Sequence, residues 1–277
     1  GNHGNEPAGI FALKEVLGKV QEENLPIKGS IYAIAGNLCA LEKAKRYEEA
    51  DLNRLWTDKR IQQIEDDNIL GEDADTLEQI AIYRELKEIL QTEEGPFYFL
   101  DLHTTSSETV PFMTVNDSLL NRKFSEQYPC PMILGIEEYL SGPLLSYINE
   151  LGYVSFGFEG GQHDDLEAIE NHKAFINLSL VFAGSLPAES VDYSSSYDRL
   201  QSQSKNTGGI YEIYYRYKIE QEEAFEMLPG YENFQHIERG EVLARSNGEA
   251  IIAPHDSRIF MPLYQSQGED GFFGIRS

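Results

Sequence analysis

The stretch Pro96-Phe-Tyr-Phe-Leu-Asp-Leu102 is a short apolar run that leads directly into the polar segment His103-Thr-Thr-Ser106. A run of this length between turn signals is typical of a strand buried on both faces. Three further runs of this kind lie at 30–35, 132–136 and 153–158. Helical patterns lie around and between them, at 7–20, 76–90, 116–127, 144–151 and 166–182. Alternating strands and helices predict an α/β domain with a mostly parallel or mixed sheet that has helices on both faces.

The pattern changes near residue 190. Residues 191–208 are rich in Ser, Asp, Tyr and Asn, and we interpret them as a linker. Beyond them, short strand patterns separated by turn residues lie at 209–219, 236–245, 249–253 and 258–263. The sequence therefore predicts a catalytic domain over 1–190, a linker over 191–208 and a small C-terminal all-β domain over 209–277. The last part resembles barrel-sandwich carrier modules, but its turn lacks the lysine that such modules modify.

Composition excludes several classes of function. The net charge is −25, from 47 acidic and 22 basic residues, whereas nucleic-acid binding needs a basic surface. No apolar stretch reaches 18 residues, so no membrane span is predicted. Cys39 and Cys130 lie far apart and make neither a disulfide framework nor a zinc ribbon. With no signal peptide visible, we expect a cytoplasmic protein that acts on a small molecule, and the sequence is compatible with a homo-oligomer.

Two histidines and one glutamate make a candidate metal site. His3-Gly-Asn-Glu6 has the form His-x-x-Glu and directly precedes a predicted helix. His103 stands at the end of a predicted parallel strand, where functional groups of such sheets cluster. Two imidazoles and one carboxylate are the ligand set of a catalytic zinc, with a fourth position left open. We therefore predict one Zn²⁺ per chain, although His-x-x-Glu alone is a weak signal.

A carboxylate and a basic cluster complete the candidate site. Glu159 ends the apolar run at 153–158 and precedes Gly160-Gly161, a pair that would let backbone approach a ligand closely. In this place Glu159 would be the general base. Arg46 and Arg54 stand close together in a chain poor in basic residues, and arginine binds carboxylates with two parallel hydrogen bonds. Next to a metal they would form an anion pocket.

In combination these motifs resemble the succinylglutamate desuccinylase/aspartoacylase family, which has a zinc-carboxypeptidase-like fold. The likeness rests on His3-Gly-Asn-Glu6, Arg46, Asp51-Leu-Asn-Arg54, Asp101-Leu-His103 and Glu159, in that order, and covers nearly the whole chain. It implies a zinc-dependent amidohydrolase for an N-acyl amino acid or a similar small carboxylate. His3, Glu6 and His103 would hold zinc, and Arg46 would polarise the acyl carbonyl. Asn53 and Arg54 would bind a substrate carboxylate, and Glu159 would be the base.

The sequence also departs from the family pattern. Aspartoacylase has an arginine ten residues before the catalytic glutamate, where this chain has Asn149, and a tyrosine near the C-terminus, where it has Phe272 and Phe273. We therefore expect N-acetylaspartate to be a poor substrate. His163, just after the Glu159-Gly-Gly turn, is a further candidate substrate contact. The resemblance also implies a strand before His3, and hence residues before Gly1 in the natural protein.

Three alternatives share most of these residues. A metallocarboxypeptidase acting on peptides would use the same zinc, arginines and Glu159. An ester hydrolase would share every residue. A non-catalytic binding protein on the same fold would be expected to lack a ligand or the base, and this chain keeps all four of His3, Glu6, His103 and Glu159. Access to the cleft distinguishes a metallocarboxypeptidase from the favoured amidohydrolase, because a C-terminal domain that closes the cleft would exclude peptides.

Overall fold

The computed structural model describes residues 2–69, 71 and 73–277. The described helices are α1 (Ala8–Glu22), α2 (Leu38–Glu42), α3 (Asp58–Glu65), α4 (Ala74–Thr92), α5 (Leu119–Ser125), α6 (Leu144–Glu150), α7 (Leu166–Phe182) and α8 (Tyr193–Gln203). The strands are β1 (Tyr98–Thr105), β2 (Phe112–Val115), β3 (Met132–Leu134), β4 (Val154–Gln162), β5 (Ile210–Lys218), β6 (Phe225–Met227), β7 (His236–Ile237), β8 (Val242–Ser246), β9 (Glu249–Ile252), β10 (Ser257–Phe260) and β11 (Asp270–Arg276). No helix of this described part is long and apolar enough to cross a membrane.

One mixed sheet runs through most of the protein, in the order β1-β4-β2-β3-β5-β11-β10-β7. β1 pairs in parallel with β4, and β3 pairs in parallel with both β2 and β5. β2 runs antiparallel to β4, and the strands beyond β5 are antiparallel to their neighbours. A separate small antiparallel sheet has the order β6-β8-β9. The α/β fold class with a mixed sheet is confirmed, and the sheet continues across residue 209 into the C-terminal region.

The two faces of the sheet are covered by different helices. Leu100 and Leu102 of β1 pack with Phe158 of β4 in a core that α1 and α7 share. Phe99 lies on the opposite face, in a second core with residues of α3, α4 and α6. Because side chains alternate along a strand, His103 lies on the same face as Phe99. Glu159 is its register partner on β4, so the two side chains lie next to each other.

Several local predictions differ from the structure. The strand predicted at 30–35 is wrong: this segment has no strand partner, and residues 32–35 are exposed. The apolar pattern there was right for a strand, but a strand also needs a neighbour that completes its backbone hydrogen bonds. Helix α5 begins later than the predicted residue 116, at Leu119, and Ser118 is its cap, because the Ser118 side chain accepts a hydrogen bond from the Asn121 backbone amide.

The region after residue 190 also differs. The predicted linker at 191–208 contains helix α8, which packs against α7 and buries Leu200 completely. A single buried leucine among serines is too weak a periodic signal to predict a helix. Strands β2, β6 and β11 were not predicted either, and the run predicted at 236–245 forms two strands, β7 and β8.

Candidate active site

His3, Glu6 and His103 form one buried cluster. Nδ1 of His3 lies 2.8 Å from one carboxylate oxygen of Glu6, and Nδ1 of His103 lies 2.7 Å from the other. His3 and Glu6 belong to the turn before α1, whereas His103 is on β1, and all three side chains are buried. One donor atom from each lies within 4.8 Å of the others. The structure thus brings the three predicted ligands together in an arrangement that could hold a metal ion.

The outer nitrogen of each histidine faces a second carboxylate. Nε2 of His3 lies 3.1 Å from Asp51, and Nε2 of His103 lies 2.8 Å from Asp101. Carboxylates in this position fix the tautomer and orientation of metal-binding histidines. Sequence reasoning assigned no role to Asp51 or Asp101, although both belong to the motifs Asp51-Leu-Asn-Arg54 and Asp101-Leu-His103. The signal was therefore present in the motifs themselves.

The histidines of this cluster hold the carboxylates beside them in the ionised form. Burial alone would raise the pKa of Glu6, but the charges of His3 and His103 outweigh it and hold that pKa well below its usual value. Burial also acts against ionisation of Asp101, yet His103 lowers the Asp101 pKa to about 2. In turn, Asp101 and Glu6 overcome burial and raise the pKa of His103 well above its usual value. The carboxylates are therefore ionised and need positive charge beside them.

Glu159 lies beside this cluster with one oxygen free. Its side chain is buried on β4, and its Oε2 atom has no hydrogen-bond partner among the residues that the structure describes. Burial raises the pKa of Glu159 to about 8. A carboxyl group that is buried, next to histidines and without a partner is a candidate proton-transfer group.

The Gly160-Gly161 pair has a structural role that was not predicted. A Cβ atom added to Gly160 would lie 2.3 Å from ring atoms of His172, which is wholly buried on α7. Gly161 adopts a φ of +148°, which side chains rarely tolerate. Gly160 makes room for a core histidine behind Glu159, and close access of a ligand to the glycine backbone stays a prediction.

Arg46 reaches the cluster from the loop before the Leu52–Arg54 turn. Its Nε and Nη2 atoms donate to Asp51 at 3.1 and 3.0 Å, and its Nη1 atom lies 3.6 Å from Glu6. Its backbone carbonyl accepts a hydrogen bond from the Gly4 amide. Its backbone amide donates to Gln267 at 3.1 Å. Arg46 is thus held between the His-x-x-Glu loop and the C-terminal region, with its charge next to the metal ligands.

A cavity of about 120 Å³ opens onto these groups. All eight side chains predicted for the site line it: His3, Glu6, Arg46, Asn53, Arg54, His103, Glu159 and His163. The C-terminal region forms another part of its wall, through Met261, Leu263, Gln265, Gly268, Asp270 and Phe273. A larger cavity of about 550 Å³ lies elsewhere, between β1 and residues 28–36. That cavity is mainly apolar and contains none of the three metal-ligand candidates, so the smaller cavity is the candidate active site.

Asn53 and Arg54 line this cavity and already make several protein contacts. The Oδ1 atom of Asn53 accepts a hydrogen bond from the Leu144 backbone amide at 2.9 Å. This contact fixes the side chain and does not use its NH₂ group. Arg54 donates to Asp270 at 2.9 Å through Nη2 and to the Asn53 carbonyl at 2.9 Å through Nη1. The Nε atom of Arg54 is buried without a partner. It is an available donor in a charged, partly enclosed site.

His163 follows β4 directly and contacts both β1 and the C-terminal region. Its Nδ1 atom lies 2.8 Å from the Thr104 hydroxyl, and its Nε2 atom lies 3.1 Å from Gln265. Both ring nitrogens therefore already have protein partners.

The structure also locates the positions where the sequence departs from the family pattern. Asn149 lies on α6 outside the cavity lining and donates to the Tyr153 carbonyl at 2.9 Å. Phe273 lines the cavity, whereas Phe272 packs in a separate core with Ile259. Tyr264 donates to the Leu228 carbonyl at 2.7 Å and does not line the cavity. The arginine and tyrosine positions of the family pattern therefore carry an amide outside the pocket and an aromatic ring without a hydroxyl.

A family model and a related protein identify the same family for this chain. The family model described as the succinylglutamate desuccinylase/aspartoacylase catalytic domain matches residues 1–166. A succinylglutamate desuccinylase from Photorhabdus laumondii is 41% identical over 56 residues, which are 20% of this chain and 17% of that protein. The short match spans well under two thirds of that relative.

Solved structures with the same fold cover this whole chain. The succinylglutamate desuccinylase of Vibrio cholerae has a TM-score of 0.68 at 17% identity, with 79% of its own chain covered. The ectoine utilization protein EutE (DoeB) of Ruegeria pomeroyi, solved with product bound, has a TM-score of 0.68 at 17% identity, with 83% covered. Murine aminoacylase 3 has a TM-score of 0.58 at 18% identity, with 92% covered.

Proposed function

Because this chain belongs to the succinylglutamate desuccinylase/aspartoacylase family, we propose that it is a zinc-dependent hydrolase that cleaves the amide bond of an N-acyl amino acid or a similar small carboxylate. One observation carries the proposal. The buried His3–Glu6–His103 cluster lies beside Glu159, whose Oε2 atom is buried and has no partner. A ligand set with a free carboxyl oxygen next to it is what metal-assisted hydrolysis needs.

The donor set fits zinc. His3 and His103 offer imidazole nitrogens and Glu6 offers a carboxylate oxygen, which is a common catalytic zinc set. Asp51 and Asp101 would keep the histidines oriented and add the negative charge that a divalent cation requires. When bound there, zinc would lower the pKa of a water molecule and polarise the acyl carbonyl of the substrate.

Glu159 would move the proton. Its raised pKa, about 8, means that the carboxyl group exchanges a proton readily near neutral pH. It would take a proton from the attacking water and deliver it to the nitrogen that leaves. The free Oε2 atom is the position for this transfer, since no protein group competes for it.

The basic residues would bind the substrate and stabilise charge. Arg46 lies next to Glu6, so its guanidinium could stabilise the oxyanion that develops on the acyl carbonyl. The Asn53 amide and the Arg54 Nε–H would receive a substrate carboxylate in the cavity. His163 would contact the substrate from the end of β4, with its ring held by Thr104 and Gln265.

Cavity shape favours a small molecule over a peptide. The cavity measures about 120 Å³ and has residues of the C-terminal region in its wall. A metallocarboxypeptidase needs an open groove for an extended chain, which this wall obstructs. An ester hydrolase would use the same groups, so esters belong among the substrates tested.

The test is turnover by zinc-loaded protein on a panel of N-acyl amino acids and the matching esters. The Glu159→Gln variant should keep its zinc and lose on the order of 10²–10⁴ in kcat, the usual contribution of a positioned general base. Glu22→Gln, a change at an exposed position of α1, is the matched control and should behave as the parent does. No turnover of any panel member by the parent would overturn the proposal. Full activity of Glu159→Gln would overturn the role of Glu159.

A further inference from the structure

Asp270 joins two arginines at the wall of the candidate active site. It begins β11 and lines the cavity. One of its oxygens accepts from Arg54 Nη2 at 2.9 Å, and the other accepts from Arg216 Nε at 2.5 Å. Arg216 is fixed in turn, because its Nη1 atom donates to the Tyr139 carbonyl at 2.5 Å. All three charged side chains are largely buried, with 15 to 19% of each exposed.

This contact limits what Arg54 can offer to a substrate. A free guanidinium binds a carboxylate with two parallel N–H groups. In this protein Asp270 already takes Nη2, and Nη1 donates to the Asn53 carbonyl. The buried Nε atom has no hydrogen-bond partner among the described residues. Two of the five N–H groups of Arg54 are thus engaged, one of them with Asp270, so a substrate carboxylate that binds the remaining N–H groups lies close to the Asp270 carboxylate.

The charges of Arg54, Arg216 and Asp270 also favour a substrate with a single carboxylate. Two guanidinium groups and one carboxylate leave a net charge of +1, which matches one substrate carboxylate. A second anionic group near Arg54 would stand close to the Asp270 carboxylate. Specificity often depends on such a repulsive element as well as on attractive contacts. Much of the rest of the cavity wall is apolar, including Leu140, Leu145, Leu263 and Phe273.

We propose that Asp270 determines the charge of the substrate, so that the site accepts an N-acyl amino acid with one carboxylate and an uncharged remainder and rejects dicarboxylates. This inference rests on the proposed function. It assigns the selection to a residue of the C-terminal region that contacts Arg54 directly. Position 149 carries Asn and the pocket wall carries the Asp270 carboxylate, and both features disfavour a second substrate carboxylate.

The experiment compares succinate with butyrate as ligands of zinc-loaded protein by calorimetry. Both have a four-carbon chain and a carboxylate for the metal, so their affinity ratio isolates the second carboxylate. The parent should bind butyrate at least as tightly as succinate. In Asp270→Asn the ratio should shift towards succinate by on the order of tenfold or more, because a like charge has been removed. Asp270→Glu keeps the carboxylate and should keep the parent ratio.

The results separate this inference from the proposed function. Tighter binding of succinate than of butyrate by the parent would overturn the role of Asp270 without any variant. An unchanged ratio in a folded Asp270→Asn would also overturn it, because a merely structural role would weaken both ligands equally. If the binding ratio shifts as expected but no N-acyl amino acid is hydrolysed by the parent, the proposed function fails and the charge selection by Asp270 stands.

Discussion

Replacing Gly160 by alanine tests whether the end of β4 sets the position of Glu159. A Cβ atom at residue 160 would lie 2.3 Å from the Cε1 and Nδ1 atoms of His172 and 3.0 Å from the Ala168 carbonyl oxygen. The His172 ring cannot swing away easily, because it is wholly buried and its Nδ1 atom lies 2.7 Å from that same oxygen. The backbone of residue 160 must therefore move, and Glu159 must move with it.

The expected magnitude follows from this crowding. Overpacking a filled core typically costs about 1–3 kcal/mol of unfolding free energy. A displacement of about 1 Å in a catalytic group costs on the order of 10²-fold in rate. Two of the three metal ligands, His3 and Glu6, lie in the turn before α1, so we expect Gly160→Ala to keep its zinc while it loses stability and turnover.

Urea denaturation, zinc analysis and steady-state kinetics measure the three quantities in one preparation. Gly18→Ala is the matched control, because Gly18 lies inside α1 with nothing within 4 Å of an added Cβ. That change should stabilise the protein by about 0.5–1 kcal/mol, since alanine is the better helix former. A Gly160→Ala protein as stable and as active as the parent would refute the idea that His172 and the strand end hold Glu159 in place.

Two further predictions concern metal content and acid. Elemental analysis should find zinc in the purified parent protein and little or none in His103→Ala. His236→Ala, a change at an exposed position of β7, is the control and should keep its zinc. Equal zinc contents in the two variants would remove His103 from the ligand set. Burial lowers the pKa of His172 from its usual 6.5 to about 4, so between these two pH values the unfolded chain protonates His172 more readily than the folded protein does. The free energy of unfolding should therefore fall by about 3 kcal/mol as the pH drops from 6.5 to about 4. Urea denaturation at several pH values should show a flatter profile for His172→Asn, and parallel profiles would contradict the assignment.

The residues of the candidate site could be found from sequence because each stands at a structurally defined place. His103 and Glu159 lie near the carboxyl ends of neighbouring parallel strands, and the ends of parallel strands meet at one edge of a sheet. The His-x-x-Glu spacing brings His3 and Glu6 together across a single turn before α1. Motif order then identified the family, which the match over residues 1–166 confirms. Their roles in catalysis stay predictions.

What could not be predicted depends on partners that are distant in sequence. A strand pattern at 30–35 gives no information on whether a neighbouring strand is present, and in this structure none pairs with it. Strand β11 contains four glycine or charged residues among seven, and it is a strand because β5 and β10 flank it. The contact between Gly160 and His172 joins residues twelve positions apart through a turn, and a Gly-Gly pair alone does not indicate which atom fills the space.

The C-terminal region forms part of the wall of the candidate active site and is not only attached to the domain that carries it. Strands β5 and β11 extend the same sheet that positions His103 and Glu159. From this region Gln267 holds the Arg46 backbone, Gln265 holds His163, and Asp270 holds Arg54. Each of these contacts holds a residue that we propose to bind substrate or stabilise charge. The candidate ligand cluster lies in the first 103 residues of the chain, whereas Gln265, Gln267 and Asp270 hold three residues of the candidate pocket from the C-terminal region, so we expect mutations of these three to alter substrate binding more than metal content.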